Sequence, residues 1–294
     1  MHRSSPMNTL EQLSPHAAAK MVSVDDGARE TQARLPALHL PEYAIEGALL
    51  GLFMVSACLF TVLFQFPLSP VRHAIASGFV RRALTGICMG LTAIALIYSP
   101  WGQRSGAHMN PAVTLTFLRL GKVRSLDAVF YVVFQFAGAT AGVLVSAILL
   151  GASISHRDVQ FAATYPGDGG PYLAALGELA ISFLQMTVVL WISNHPRFSR
   201  LTGLIAGALV ATYIAIESPY SGMSMNPART FGSALPSGIW YGFPIYLIVP
   251  PAAMLLAAQA FVWFRGKAAI GCCKLDHSPR VNCIFCGMRG IAHE

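Results

Sequence analysis

The chain has 294 residues, 54% of them hydrophobic and only 11% charged, with a formal net charge of +7. Ordinary soluble domains are roughly 25% charged, and a soluble core has no room for this much apolar length, so a soluble globular fold is excluded. The basic residues lie in loops between apolar runs and form no stripe on a soluble face, which argues against a nucleic-acid partner.

Residues 1–40 are polar, lack helical or strand periodicity, show no secretory-signal pattern and are expected to form a mobile tail. Six segments then meet or approach the ~20 apolar residues that a spanning helix needs. They are 43–66, 83–101, 128–150, 172–193, 201–216 and 239–264, the fifth being the shortest. Glu46 and Glu178 are the only charged residues inside them. If both termini share one side, 15 of the 20 Lys and Arg residues fall there and 5 on the other. The positive-inside rule then predicts cytoplasmic termini.

The first three spans and the last three correspond. Each half has an acidic residue early in its first helix (Glu46, Glu178), a glycine-bearing second helix, a turn, and then Asn-Pro-Ala, at Asn110-Pro111-Ala112 and Asn226-Pro227-Ala228. Three spans per half is an odd number, so the second half must be inverted, which places a shared site near the midplane. Gly47/Gly51, Gly86/Gly90, Gly138/Gly142 and Gly203/Gly207 are each spaced for close backbone packing between helices.

Asn is a strong helix N-cap and Pro suits the first helical position, so each tripeptide reads as a helix start. Segments 110–119 and 226–235 reach only about 15 Å, half the hydrocarbon thickness. Two half-helices from opposite faces would therefore meet at the midplane. The loops leading in, 105–109 and 221–225, would run irregularly at membrane depth, which is tolerated only beside a cavity or inside protein. Their carbonyls at Gly106, Ala107, His108 and Met109, and at Gly222, Met223, Ser224 and Met225, are expected to line a pore. The Asn110 and Asn226 amides would donate to a passing solute, and the two helix N-termini would repel cations. An intramembrane arginine such as Arg229 is costly and is read as functional.

Ser105 to Thr114 and Met225 to Thr230 resemble the two motifs of the aquaporin, or major intrinsic protein, family. The resemblance runs from about Glu42 to Arg265 and includes Gln135 and Gly138. It implies an all-α membrane channel of six transmembrane helices and two re-entrant half-helices in two inverted repeats. It further implies one pore per subunit, a homotetramer and a plasma (inner) membrane location. The family's narrow filter maps onto Arg229, Met223 and Ile214, with Met89 from helix two, or Gly90 by strict counting, since Ser99–Arg104 is one residue longer than usual. Water-selective members carry an aromatic and a histidine where this chain has methionine and isoleucine. Isoleucine offers no donor or acceptor. Thr230, by contrast, resembles the water branch rather than the aspartate of glycerol channels. Each of Met89, Ile214 and Met223 also suits ordinary helix packing. Glu46 and Glu178 are expected to anchor the re-entrant loops by accepting backbone N–H bonds, and His108 to assist them.

The expected function is passive conduction of water and small uncharged solutes. The alternatives are a glycerol, urea or metalloid facilitator, or a membrane scaffold or metal-responsive sensor acting through the C-terminal segment. No nucleophile–base set or phosphate loop suggests an enzyme, and no cofactor is called for. The domain reading is a tail over 1–40, a channel over 41–266 (repeats 41–155 and 170–266), and a cytoplasmic tail over 267–294. That last segment holds Cys272, Cys273, Cys283 and Cys286, with His277 between the pairs. The Cys-x2-Cys step suits zinc, and a cytoplasmic place would keep the thiols reduced. Incidental thiols on a mobile tail are the competing reading, and no metal ligand is assigned in the pore.

Overall fold

The computed structural model describes residues 38–277 and 283–287. The tail expected over 1–40 therefore falls, up to residue 37, outside the described residues. Eight helices build the described body. Six are spans: α1 (Leu40–Gln65), α2 (Gly78–Tyr98), α4 (Ser125–Leu150), α5 (Gly170–Ser193), α6 (Thr202–Ile216) and α8 (Phe243–Arg265). The other two are half-helices, α3 (Pro111–Arg119) and α7 (Pro227–Ser237). Short helical turns at Pro100–Ser105 and Ser218–Ser221 lead into the two irregular loops.

Helix limits follow local chemistry. Pro100 cannot continue a helix, so α2 stops at Tyr98. It starts earlier than its apolar run because Ser77 caps Val80 N–H, which places Arg81 and Arg82 in the opening turns. Gly242, in the left-handed region at φ 71°, resets the chain before α8.

The spaced glycines pack the spans in pairs. A Cβ on Gly138 would lie 2.0 Å from the Gly47 carbonyl, and one on Gly142 2.3 Å from that of Gly51, so α1 and α4 touch backbone to backbone. Across the two halves, Gly86 and Gly90 would meet the Ala211 and Gly207 carbonyls at 2.4 and 2.5 Å, joining α2 to α6. The outward face is apolar, with Ile148, Leu149, Trp263 and Phe264 all well exposed, as a lipid-facing surface requires. Alternating spans return the end of α8 to the face where α1 begins. Residues 267–277 fold back on that face, and Ile270, Cys273 and Leu275 are buried there.

Candidate pore and its two tripeptide loops

The tripeptides cap α3 and α7 and bring them tip to tip. Asn110 Oδ1 accepts the Ala112 N–H at 2.8 Å. Asn226 Oδ1 accepts those of Ala228 and Arg229 at 3.1 and 3.2 Å. Pro111 and Pro227 follow at the first helical position, where no N–H is needed. Each amide nitrogen then crosses to the other loop: Asn110 Nδ2 donates to the Met225 carbonyl and Asn226 Nδ2 to the Met109 carbonyl, both at 2.7 Å. A second hydrogen on each amide remains for a solute.

The loops hold non-glycine residues at positive φ: Ala107 (55°) and Met109 (47°), and correspondingly Met223 (52°) and Met225 (53°). Left-handed backbone costs roughly 1–2 kcal/mol per L-residue, so something must hold these conformations. The two buried carboxylates do so. Glu46 accepts from Ser105 Oγ (2.7 Å), His108 N–H (3.0 Å), Met109 N–H (2.6 Å) and Gln135 Nε2 (3.0 Å). Glu178 accepts from Ser221 Oγ (3.0 Å), Ser224 N–H (2.6 Å) and Met225 N–H (2.7 Å). Tyr131 and Tyr246 complete the pattern by donating to the Ser105 and Ser221 carbonyls at 2.7 and 2.5 Å.

Both loops face one cavity of about 660 Å³. Its walls come from α1 (Leu50, Ala57), α2 (Met89, Ala93), α5 (Met186, Val189) and α6 (Val210, Ile214). Asn110, Asn226, Met89, Ile214, Met223 and Arg229 all line it. Gly90 does not: it faces the backbone of α6, which leaves Met89 as the helix-two residue at the cavity. Arg229 Nη1 is buried and has no hydrogen-bond partner among the described residues, so its donor capacity is unspent.

Ala107, His108, Met109, Gly222, Met223, Ser224 and Met225 line the cavity, whereas Gly106 does not. The Gly106 carbonyl instead accepts the Leu275 N–H at 3.1 Å. The C-terminal segment has taken the first rung of that carbonyl ladder, and Leu275 itself lines the cavity. His108 does more than brace its loop: its ring nitrogens contact Thr114 Oγ1 (3.1 Å) and the Cys273 carbonyl (3.0 Å). The Cys273 side chain is fully buried against the body, whereas the Cys272 thiol joins His277, Cys283 and Cys286. Neighbouring side chains leave the chain on opposite sides here, so of the two adjacent cysteines Cys272 joins the four-residue group and Cys273 does not.

Sequence reasoning missed Leu275, the Arg81, Arg82 and Asp158 group at the opposite mouth, and the two tyrosines. Extending the internal repeat into the third span of each half would have found Tyr131 and Tyr246. Nothing in the sequence pointed to Leu275.

Six spans in two inverted halves, with two half-helices meeting at a central cavity, define a membrane channel architecture. The family model for the major intrinsic protein matches residues 47–261, most of the chain, and the protein belongs to that family. Among curated relatives, Aquaporin NIP1-2 of Oryza sativa subsp. japonica is 35% identical over 185 residues, covering 61% of this chain and 60% of the relative. Probable aquaporin AqpM of Archaeoglobus fulgidus is 36% identical over 183 residues, covering 60% of this chain and 74% of the relative. The chain thus spans about 60% of the length of the first of these relatives. In fold, the chain resembles the aquaglyceroporin of Plasmodium falciparum, with a TM-score of 0.61 at 18% identity over 76% of this chain and 96% of that one.

Proposed function

We propose that the protein is a passive channel for water and small uncharged solutes, with no enzymatic step. One observation carries this reading. The Asn110 and Asn226 amides and the Arg229 guanidinium, all donors, face a single cavity where two helix N-termini meet. A neutral oxygen-bearing solute can accept from these donors, whereas a cation meets two positive helix ends and a fixed charge. Met89, Ile214, Met223 and Arg229 form the selectivity filter in this reading. The functional unit is a homotetramer in a plasma membrane with cytoplasmic termini, and the channel domain covers 41–266.

A second reading, facilitated passage of glycerol-like neutral solutes, draws on Ile214. An isoleucine there provides no donor to compete for water and leaves an apolar wall that suits a carbon skeleton. Stopped-flow flux in proteoliposomes tests both readings. Water flux above the lipid background is expected, and Arg229→Ala is expected to admit larger neutral solutes. Absence of any solute flux in every form of the protein would refute the channel. Glycerol flux without water flux would select the second reading.

A further inference from the structure

Four potential metal ligands converge beside the cavity on the face that carries the C-terminal segment. The side-chain ligand atoms of Cys272, His277, Cys283 and Cys286 all lie within 4.8 Å of one another. Cys272 Sγ and Cys283 Sγ are 3.6 Å apart, and His277 Nε2 and Cys286 Sγ 3.2 Å. A zinc tetrahedron, with Zn–S about 2.3 Å and Zn–N about 2.0–2.1 Å, sets its ligand atoms roughly 3.5–3.8 Å apart. The cluster therefore lies within about 1 Å of that geometry. Three thiols and one imidazole suit zinc and disfavour magnesium or calcium, which take oxygen ligands.

The cluster sits on a segment that is docked onto the first tripeptide loop. Leu275 N–H donates to the Gly106 carbonyl, and Lys274 Nζ donates to the Gln103 carbonyl at 2.7 Å. Gln103 Nε2 donates to Asp276 Oδ2 at 2.8 Å, and His108 contacts the Cys273 carbonyl. Phe285, between the last two thiols, stacks on His108 (ring centroids 6.2 Å apart, interplanar angle 17°) and meets Tyr131 edge-on. The ligands thus bracket the segment 273–276, whose Leu275 side chain lines the cavity.

We propose that Cys272, His277, Cys283 and Cys286 bind one zinc ion, and that this ion staples the C-terminal segment across the pore mouth with Leu275 as an apolar plug. On binding, Cys272, Cys283 and Cys286 each give up a thiol proton to solvent and the thiolates coordinate the metal; no redox change is involved. Loss of zinc frees the segment, returns the Gly106 carbonyl to the pore and removes an apolar constriction from the path. The gating half of the proposal rests on the channel reading above; the metal half does not.

The full chain is purified, loaded with zinc chloride or stripped with a chelator, and reconstituted in both forms. Elemental analysis is expected to find about one zinc per chain in the loaded form, as a closed four-ligand site requires. Cobalt is expected to give a thiolate charge-transfer band that is lost in Cys286→Ser, whose altered residue is exposed and outside the packed body. Water permeability is expected to rise several-fold on stripping. Leu275→Ala is expected to match the stripped form while keeping its zinc. Zinc at background level, or a metal-free Cys272–Cys283 disulfide, would overturn the site. Zinc bound with equal flux in loaded and stripped protein would overturn the staple, and a Leu275→Ala channel still closed by zinc would overturn the plug. A protein that binds zinc and conducts nothing in any form would count against the channel reading and leave the metal site standing.

Discussion

At the first tripeptide loop, Glu46 accepts four hydrogen bonds and His108 ties the loop to the C-terminal segment. At the second, Glu178 accepts three, and Ser224 takes the place of His108. The Ser224 hydroxyl turns inward to the Asn226 carbonyl (3.0 Å) and to Thr230 Oγ1, which meets Thr164 Oγ1 on the opposite-face connector at 2.6 Å. The backbone is nearly the same in both, down to the alternating positive φ values. The side chains divide the labour. The first loop is tied to the C-terminal segment, and the second carries the arginine that lines the cavity. A duplicated frame has kept its geometry and changed its attachments.

The largest effect that would break this symmetry is expected from the carboxylates. Glu46→Ala leaves four donors without their acceptor, and each buried unsatisfied donor costs about 1–3 kcal/mol. Glu178→Ala leaves three. Both variants should be severely destabilised in thermal unfolding of detergent-solubilised protein, Glu46→Ala the more so; equal melting temperatures would erase the distinction drawn between the loops. A smaller effect is expected at the caps. Asn226 Oδ1 accepts two backbone N–H groups and Asn110 Oδ1 one, so Asn226→Ala should cost roughly 0.5–1.5 kcal/mol more than Asn110→Ala. Denaturant midpoints would measure it, and the reverse order would show that the crossed amide bonds outweigh the caps.

The smallest effect concerns a group with no counterpart at the first loop. Burial, with Glu178 nearby, pushes the Glu217 carboxyl up from 4.5 to about 7. The folded protein keeps this proton where the unfolded chain has lost it, so stability should fall as pH rises from 4.5 through about 7. The side chain is partly exposed, and solvent screens the effect. Glu217→Gln should flatten the slope of melting temperature over this range. A slope unchanged by the substitution would assign it to another group.

Much of this frame was legible in the sequence because it rests on local rules. The tripeptides announce two caps, and the paired Glu46 and Glu178 announce two anchors, because a buried carboxylate needs donors. The glycine spacing anticipated the backbone contacts between α1 and α4 and between α2 and α6. The choice between Met89 and Gly90 needed three dimensions, since it depends on which way α2 turns its face after an extra residue before Ser105. Gly106 was misread for a different reason. Its carbonyl partner lies 169 positions away, at Leu275, in a segment with no periodicity to mark it as part of the body.

The short connection after α8 sets how strongly the docked segment is held. Only a few residues separate Arg265 from the docked stretch that begins near Ile270. The segment is therefore a tethered ligand, and a short tether holds its binding partner at millimolar effective concentration. A handful of hydrogen bonds and one leucine are then enough to keep the segment docked on the first loop. The same peptide added free in solution would have to reach millimolar levels to compete, so control over the segment belongs to whatever acts on the chain itself.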